Sequence, residues 1–375
     1  MIHLAELAAV AERSGFALVG VAPVEPAGHG WFAPHGERLQ AWIGAGHHAD
    51  MRWIAERLPE RLAPGHLLPG VQSALVFWLD HRTPTPPRPD GPVGRVAAYA
   101  WGRDYHNIAR KELRRVRRWL LERCPGVGTY LSVDTGAVLE RAFGERAAVG
   151  WMGRSTMLIH PRRGTFGSLA VMFVDQPLPA AAEAHPGRCG TCVACVDACP
   201  TGALGPWGLD ARRCISYWTI EHRGLIPAEV RPWLGEWVFG CDICQDVCPW
   251  NRDAPRADPA RWRPEPDRAW PDLPLWILTP DAALEARLEG SPLRRATAAG
   301  LRRNALIVVG NLRLQGARTA VVAALSDPDP VVRATAVWAA RSLGVPGVEA
   351  RAARDPSPVV QAEASTPLPP EARVR

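Results

Sequence analysis

Lysine is all but missing from this 375-residue chain: Lys111 is the single example among 44 lysines and arginines. The richness in arginine, alanine and proline that accompanies this reads as a composition bias, so arginine counts alone carry little information about function. Also missing is any uncharged apolar run of the roughly 18 residues that a membrane-spanning helix needs, so no such helix is expected. The opening segment, Met1 to Arg13, carries Glu6 and Glu12 where a secretory leader has an uninterrupted apolar core. No small-residue cleavage site or twin-arginine leader follows. These absences point to the reducing cytoplasm, with no membrane partner. Cysteine is missing almost everywhere except one stretch: eight of the nine lie between Cys189 and Cys248, and the ninth, Cys124, reads as a small buried hydrophobe.

That stretch begins Cys189-Gly-Thr-Cys192-Val-Ala-Cys195-Val-Asp-Ala-Cys199-Pro200, the C-x2-C-x2-C-x3-C-P spacing of a bacterial 4Fe-4S site. The second group is Cys214, then Cys241-Asp-Ile-Cys244-Gln-Asp-Val-Cys248-Pro249. Short intervals on a tight loop let three thiolates reach three corners of one cubane, and the fourth comes from afar. In two-cluster proteins the cysteine before proline serves the other cluster. The spacing therefore predicts one 4Fe-4S cluster on Cys189, Cys192, Cys195 and Cys248, and another on Cys199, Cys214, Cys241 and Cys244. Zinc ribbons pair C-x2-C with a distant second pair and lack the run ending in Cys-Pro. A disulfide framework needs an oxidising compartment.

The length predicts two or three cores. Apolar positions over residues 1–14 form a helical stripe, and Phe16–Pro23 and Gly70–Leu79 read as buried strands, with a proline-rich loop at 84–92. Ala109–Cys124 is a helix whose Arg110, Lys111, Arg114, Arg115 and Arg118 make a charged face, most simply a solvated one. Strands at 128–132, 157–159 and 168–174 and a helix from Val138 complete an α/β (α+β) core. The boundaries expected are 1–180 for this domain, 181–252 for a ferredoxin-like two-cluster insert, 253–285 for a wrapping linker and 286–375 for helical repeats. The repeats show as Arg302-Arg-Asn-Ala305 recurring at Arg333-Ala-Thr-Ala336, 31 residues on, and Asp327-Pro-Asp-Pro330 recurring at Asp355-Pro-Ser-Pro358, 28 residues on. The pattern is HEAT-like with a short period. Residues 290–375 hold 12 arginines against 6 acids, equal to the whole net charge of +6, which suggests a polyanionic partner.

Tyr99-Ala-Trp-Gly-Arg-Asp-Tyr-His106, Val133-Asp-Thr-Gly136, Glu140-Arg-Ala142, Cys214-Ile-Ser-Tyr217, Gly240-Cys-Asp-Ile-Cys244 and Arg302-Arg-Asn-Ala305, together with the paired cysteine motifs, resemble the epoxyqueuosine reductases. The resemblance implies a cytoplasmic, most simply monomeric, oxidoreductase. It would reduce epoxyqueuosine to queuosine at the wobble position of tRNA, using two 4Fe-4S clusters, cobalamin and an unidentified low-potential electron donor. Where such enzymes usually carry Gly-Lys-Asn-Thr, this chain has Gly153-Arg154-Ser155-Thr156, and Lys and Arg are not interchangeable in geometry. Cobalamin contacts are expected from Arg61, Asp134, Arg154, Ser155, Thr156, Ser216 and Tyr217.

Asp104-Tyr-His106 is similar to the start of a cobalt-ligating histidine motif but lacks its glycine, so His106 reads as a hydrogen-bonded histidine of the core. Asp134 is the expected catalytic acid, kept protonated by desolvation beside Gly136, where a large ring could approach the backbone. An aspartate before Thr-Gly is otherwise a turn or helix cap. Arg294, Arg295, Arg302 and Arg303 are the expected phosphate contacts. Two other functions compete: a B12 iron-sulfur reductase of the reductive dehalogenase kind, and a non-catalytic electron-transfer or tRNA-binding adaptor.

Overall fold

The computed structural model describes residues 2–25, 30–180, 183–206 and 208–368. Residue 1 and the final positions of the expected repeat span, 369–375, lie outside the described residues. The chain divides into two compact units: Met1–Pro84, Asp104–Arg212 and Ile243–Arg261 form the first, and Thr85–Arg103, Arg213–Asp242 and Trp262–Arg375 the second. The cysteine-rich span 181–252, expected as one insert, is thus shared between them. Within the second unit Trp237–Phe239 pairs in parallel with Arg95–Val96, which binds this part of the span to a far earlier stretch of chain.

The first unit is built on a four-stranded sheet of β1 (Leu18–Pro23), β2 (Ser73–Asp80), β3 (Thr129–Ser132) and β4 (Gly167–Val174), in the order β1-β2-β4-β3. Every pairing is antiparallel, and Val21, Leu75, Met172 and Leu131 stand in one row across it. The core is therefore of the α+β kind. β2 and β4 are central and covered on both faces, which is why they read as unbroken apolar runs. Ala74, Val76 and Trp78 of β2 and Leu169, Val171 and Phe173 of β4 pack with Phe143 of α3 (Glu140–Arg146). The alternate residues face the side of α1 (Leu4–Ser14) and α2 (Tyr105–Arg123), where Phe16 meets Phe77 with ring centroids 4.7 Å apart. α2 buries Ile108, Ala109, Leu113, Val116 and Leu120 at helical spacing and leaves its arginines outward. The Asp104 carboxylate caps its start by accepting the His106 N–H at 2.9 Å.

The second unit is mostly helical. α4 (Ile215–Ile220) and the short strand β5 (Trp237–Phe239) pack on α5 (Ala298–Leu312), which is followed by α6 (Pro330–Ser342) and α7 (Pro358–Glu363). The repeat read from the sequence has a physical counterpart here. Each Asp-Pro-x-Pro segment leads into a helix, and its first aspartate accepts the N–H two residues on: Asp327 that of Asp329 and Asp355 that of Ser357, both at 2.9 Å. Successive turns are joined by ion pairs, Arg302 with Asp327 and Arg333 with Asp355 at 2.9 Å. Among the described residues no helix is long and apolar enough to cross a membrane.

Candidate active site and cysteine centre

Asp134 follows β3 in a left-handed backbone conformation, φ 57°, which a side chain adopts only when its surroundings hold it there. Glu140, at the start of α3, does so: its Oε1 accepts the Asp134 N–H at 2.8 Å and the Ser132 hydroxyl at 3.1 Å. A Cβ on Gly136 would stand 2.2 Å from Ser132 Oγ. That glycine therefore makes room for the chain itself.

α2 delivers two donors to the Asp134 carboxylate. Tyr105 Oη lies 2.8 Å and His106 Nε2 3.2 Å from Oδ2, while Asp104 Oδ1 is 2.7 Å from His106 Nδ1. The Tyr105 and His106 rings stack at 4.0 Å. Beside them Arg110 donates to Thr135 Oγ1 at 2.9 Å, and Arg141 donates to the carbonyl of Thr156 at 2.5 Å. Asp134 keeps 61% of its side-chain surface exposed, so the carboxylate stands in an open recess. His106 is hydrogen-bonded, as expected, but in this network at the recess and not in the core, and both ring nitrogens are engaged.

The charges follow from these contacts. Withdrawal from water pushes the Asp134 carboxyl up, but hydrogen bonds from His106 and Tyr105 and the charges of His106 and Arg141 outweigh it and hold it below the usual range. Asp134 is ionised at neutral pH, which corrects the expectation of a protonated acid: donors, not desolvation, decide its state. Burial alone would lower His106, yet Asp104 and Asp134 raise it to about 9. Burial and then the Asp134 charge raise Glu140 to about 8. The protons at neutral pH thus sit on the imidazole and on Glu140.

In the same unit Cys189, Cys192, Cys195 and Cys248 surround a cavity of about 270 Å³, completed by Arg154, Ser155, Ile159 and Trp250. Cys248 is brought there by a buried polar cluster. Asn251 Oδ1 accepts the Thr165 N–H at 2.8 Å, its Nδ2 donates to the Gln245 carbonyl at 2.6 Å, and Thr165 Oγ1 donates to Gln245 Oε1 at 3.0 Å. Trp250 then packs edge-on against Trp151, 4.9 Å away. Burial, and beyond it the charges of Cys189 and Cys192, raise the Cys195 thiol; burial raises Cys248 too, against a hydrogen bond at Trp250, with the other three cysteines adding to the rise. Crowded thiolates that repel one another suit a cationic iron core between them. No disulfide forms among the described cysteines. Of the second quartet, Cys199 and Cys244 belong to the first unit and Cys214 and Cys241 to the second.

The other expected residues separate. Arg154 and Ser155 line the cysteine cavity, with Arg154 donating to the Gly190 carbonyl at 3.0 Å, whereas Thr156 is tied through Arg141 to the Asp134 side. Arg61 is buried, donates to the Arg57 carbonyl at 3.2 Å and lies 5.7 Å from the Trp53 ring. Ser216 and Tyr217 lie on α4 of the second unit. Arg294 is exposed, and Arg295 is exposed but paired with Glu221 at 2.7 Å. Arg302 and Arg303 are 5% and 1% exposed, which corrects their expected role on phosphates: the first pairs with Asp281 and Asp327, and the second is consumed by carbonyls within its own unit. Sequence reasoning assigned no separate role to Tyr105, Glu140 or Arg141. Their signal lay in the Asp104-Tyr-His106 and Glu140-Arg-Ala142 segments.

Residues 61–135 match the family model described as Epoxyqueuosine reductase QueG, DUF1730, and residues 188–251 match the 4Fe-4S double cluster binding domain. The epoxyqueuosine reductase of Pseudomonas aeruginosa is 37% identical over 88% of this chain and 91% of its own length. That of Synechococcus sp. CC9605 is 40% identical over 79% and 91%. Among solved structures, an epoxyqueuosine reductase with an epoxyqueuosine-modified tRNA-Tyr stem loop superposes with TM-score 0.87 at 27% identity, over 96% of both chains. The Bacillus subtilis epoxyqueuosine reductase, with its catalytic aspartate loop swung out of the active site, superposes with TM-score 0.86 at 26% identity over the same share of each chain.

Proposed function

The chain belongs to the epoxyqueuosine reductase family, and from that membership we propose how its own residues carry the conversion of epoxyqueuosine to queuosine in tRNA. The reading rests on the hydrogen-bonded group of Asp104, His106, Tyr105 and Asp134 at an open recess, in the unit that also surrounds a cavity with four cysteines. The first 4Fe-4S cluster takes Cys189, Cys192, Cys195 and Cys248, and the second takes Cys199, Cys214, Cys241 and Cys244.

Cobalamin is the other cofactor, with Arg61, Asp134, Arg154, Ser155, Thr156, Ser216 and Tyr217 as its contacts. Both His106 nitrogens are used by carboxylates, so His106 serves the proton network at the recess and the cofactor would be held by the residues just named. When bound, it supplies paired electrons, which the clusters deliver singly from a low-potential donor.

Losing the epoxide oxygen as water takes two electrons and two protons. His106 holds one proton at Nε2 and passes it to Asp134 Oδ2, from which it reaches the departing oxygen, and the second proton comes from water at the open recess. Asp104 fixes the ring so that Nε2 faces Asp134. Tyr105, stacked on the His106 ring, donates to the same carboxylate oxygen, and Glu140 keeps the loop in its left-handed turn.

The substrate approaches from the solvent side. Arg110, Arg114, Arg117 and Arg118 are exposed on α2, the helix that supplies Tyr105 and His106, and this favours an anticodon stem-loop whose phosphates meet that face while the wobble base is splayed into the recess. Arg294 and Arg295 are the further contacts, on a C-terminal HEAT-like stack. Reduced, reconstituted protein incubated with epoxyqueuosine-containing tRNA is expected to yield a nucleoside lighter by one oxygen. An unchanged nucleoside, with no binding of added cobalamin, would favour the adaptor reading.

A further inference from the structure

An Arg-Arg-Asn run inside a helix buried on nearly every side is costly unless each polar atom is satisfied. Arg303 and Asn304 of α5 are 1% and 0% exposed, and both spend their donors on two particular segments. Arg303 Nη1 donates to the carbonyls of His222 at 2.9 Å and Gly224 at 2.7 Å, and Nη2 to that of Trp218 at 2.9 Å. These carbonyls lie in and just after α4, whose N-cap residue is Cys214. The same guanidinium donates to Asn304 Oδ1 from Nε at 3.1 Å and from Nη2 at 2.9 Å. That fixes the amide so that its Nδ2 bridges the Thr219 carbonyl in α4 and the Val238 carbonyl in β5, both at 2.8 Å.

β5 leads through Gly240 directly to Cys241. The Gly240 N–H donates to Thr219 Oγ1 at 2.9 Å, joining the two segments a second time. Gly240 has φ 67°, and a Cβ there would stand 2.6 Å from that of Ala97, so the turn into Cys241 is tightly specified. Downstream, Asp242 accepts the Ala98 N–H at 2.6 Å. Asn311, seven residues along α5, continues the pattern by donating to the carbonyls of Arg231 at 2.8 Å and Gly235 at 3.1 Å.

We infer that Arg303 and Asn304 are positioning residues for the second iron-sulfur cluster, holding the Cys214 and Cys241 segments in mutual register from the repeat helix α5. The inference rests on the assignment of Cys214 and Cys241 to that cluster. It gives the C-terminal helices a part in cofactor assembly that is separate from binding tRNA.

Asn304→Asp is close to isosteric and keeps acceptance from Arg303 but removes both donations. In reconstituted full-length protein its iron and sulfide are expected to fall to about half of wild type, with the spin signal of one cluster retained on reduction. Arg303→Lys, which keeps the charge but loses the fork, is read by the same measurements should Asn304→Asp give no soluble protein, and a shifted reduction potential of one cluster counts in favour. Leu306→Ala, buried on the same helix, is the stability control. Full iron and wild-type potentials in both polar variants would overturn the inference. So would an equal loss of iron in Leu306→Ala at a matched fall in melting temperature. Cys214→Ser distinguishes the premise: if it keeps both clusters, the ligand assignment has failed, and if it loses one while Asn304→Asp keeps both, the positioning has failed.

Discussion

The Asp134 carboxylate is held by donors on an otherwise open face, and this decides where the proton waits. Asp134→Asn keeps the shape and the contact with Tyr105 but cannot carry the proton. Turnover is expected to fall on the order of 100 to 10,000-fold, with iron content and tRNA affinity unchanged in parallel assays. His106, raised to about 9, sets a second expectation. Because its native pKa lies above the unfolded value, its imidazolium contacts stabilise the fold fully below about 6.5, and that contribution is lost as pH rises through about 9. Single-turnover rates should show an alkaline limb in the same window. In Asp134→Asn the thermal-stability profile should lose its alkaline fall at lower pH, because one of the two carboxylates sustaining the charge is gone; an unmoved profile would assign the limb to another group.

Helices α2 and α5 both carry arginines at helical spacing, yet they put them to opposite uses. On α2 the apolar stripe packs on the sheet and the guanidinium groups stand in water, so Arg114→Ala with Arg118→Ala should weaken tRNA binding. It should also lower the slope of log affinity against log salt by roughly 0.7 to 1 for each lost contact, leaving cluster spectra intact. On α5, Arg302 is enclosed with Asp281 and Asp327. Arg302→Ala strands a buried carboxylate and should destabilise the second unit by about 3–5 kcal/mol in denaturant unfolding, with the salt slope of tRNA binding unmoved. The net charge of residues 290–375 was a poor guide to a binding face because Arg302, Arg303, Arg333 and Arg341 are bound to acids or carbonyls within the second unit.

For the whole molecule, the cysteine sets tie distant parts of the chain together. Cys248 closes a cavity begun by Cys189, Cys192 and Cys195, and Cys248→Ser should remove one cluster, leaving about half the iron and the spectrum of the other. Full iron in that variant would reject the crossed assignment. Cys124→Ala, outside both quartets, should keep all of it.

Much of this was legible in the residues themselves. The C-x2-C-x2-C-x3-C-P run, the two central strands, the α2 stripe and the repeated Asp-Pro-x-Pro starts all rest on spacing along the chain, and spacing survives in any fold that uses it. The placement of protons and charges was not legible. Asp134 is ionised because Tyr105 and His106, 29 and 28 residues away in sequence, reach its carboxylate, and Arg303 is structural because three carbonyls some 80 residues earlier surround it. Nor could the chain's linear order show that the stretch from Cys189 to Cys248 is divided between two units. Protonation, burial and domain membership are set by neighbours from remote segments, and those neighbours exist only once the chain has folded.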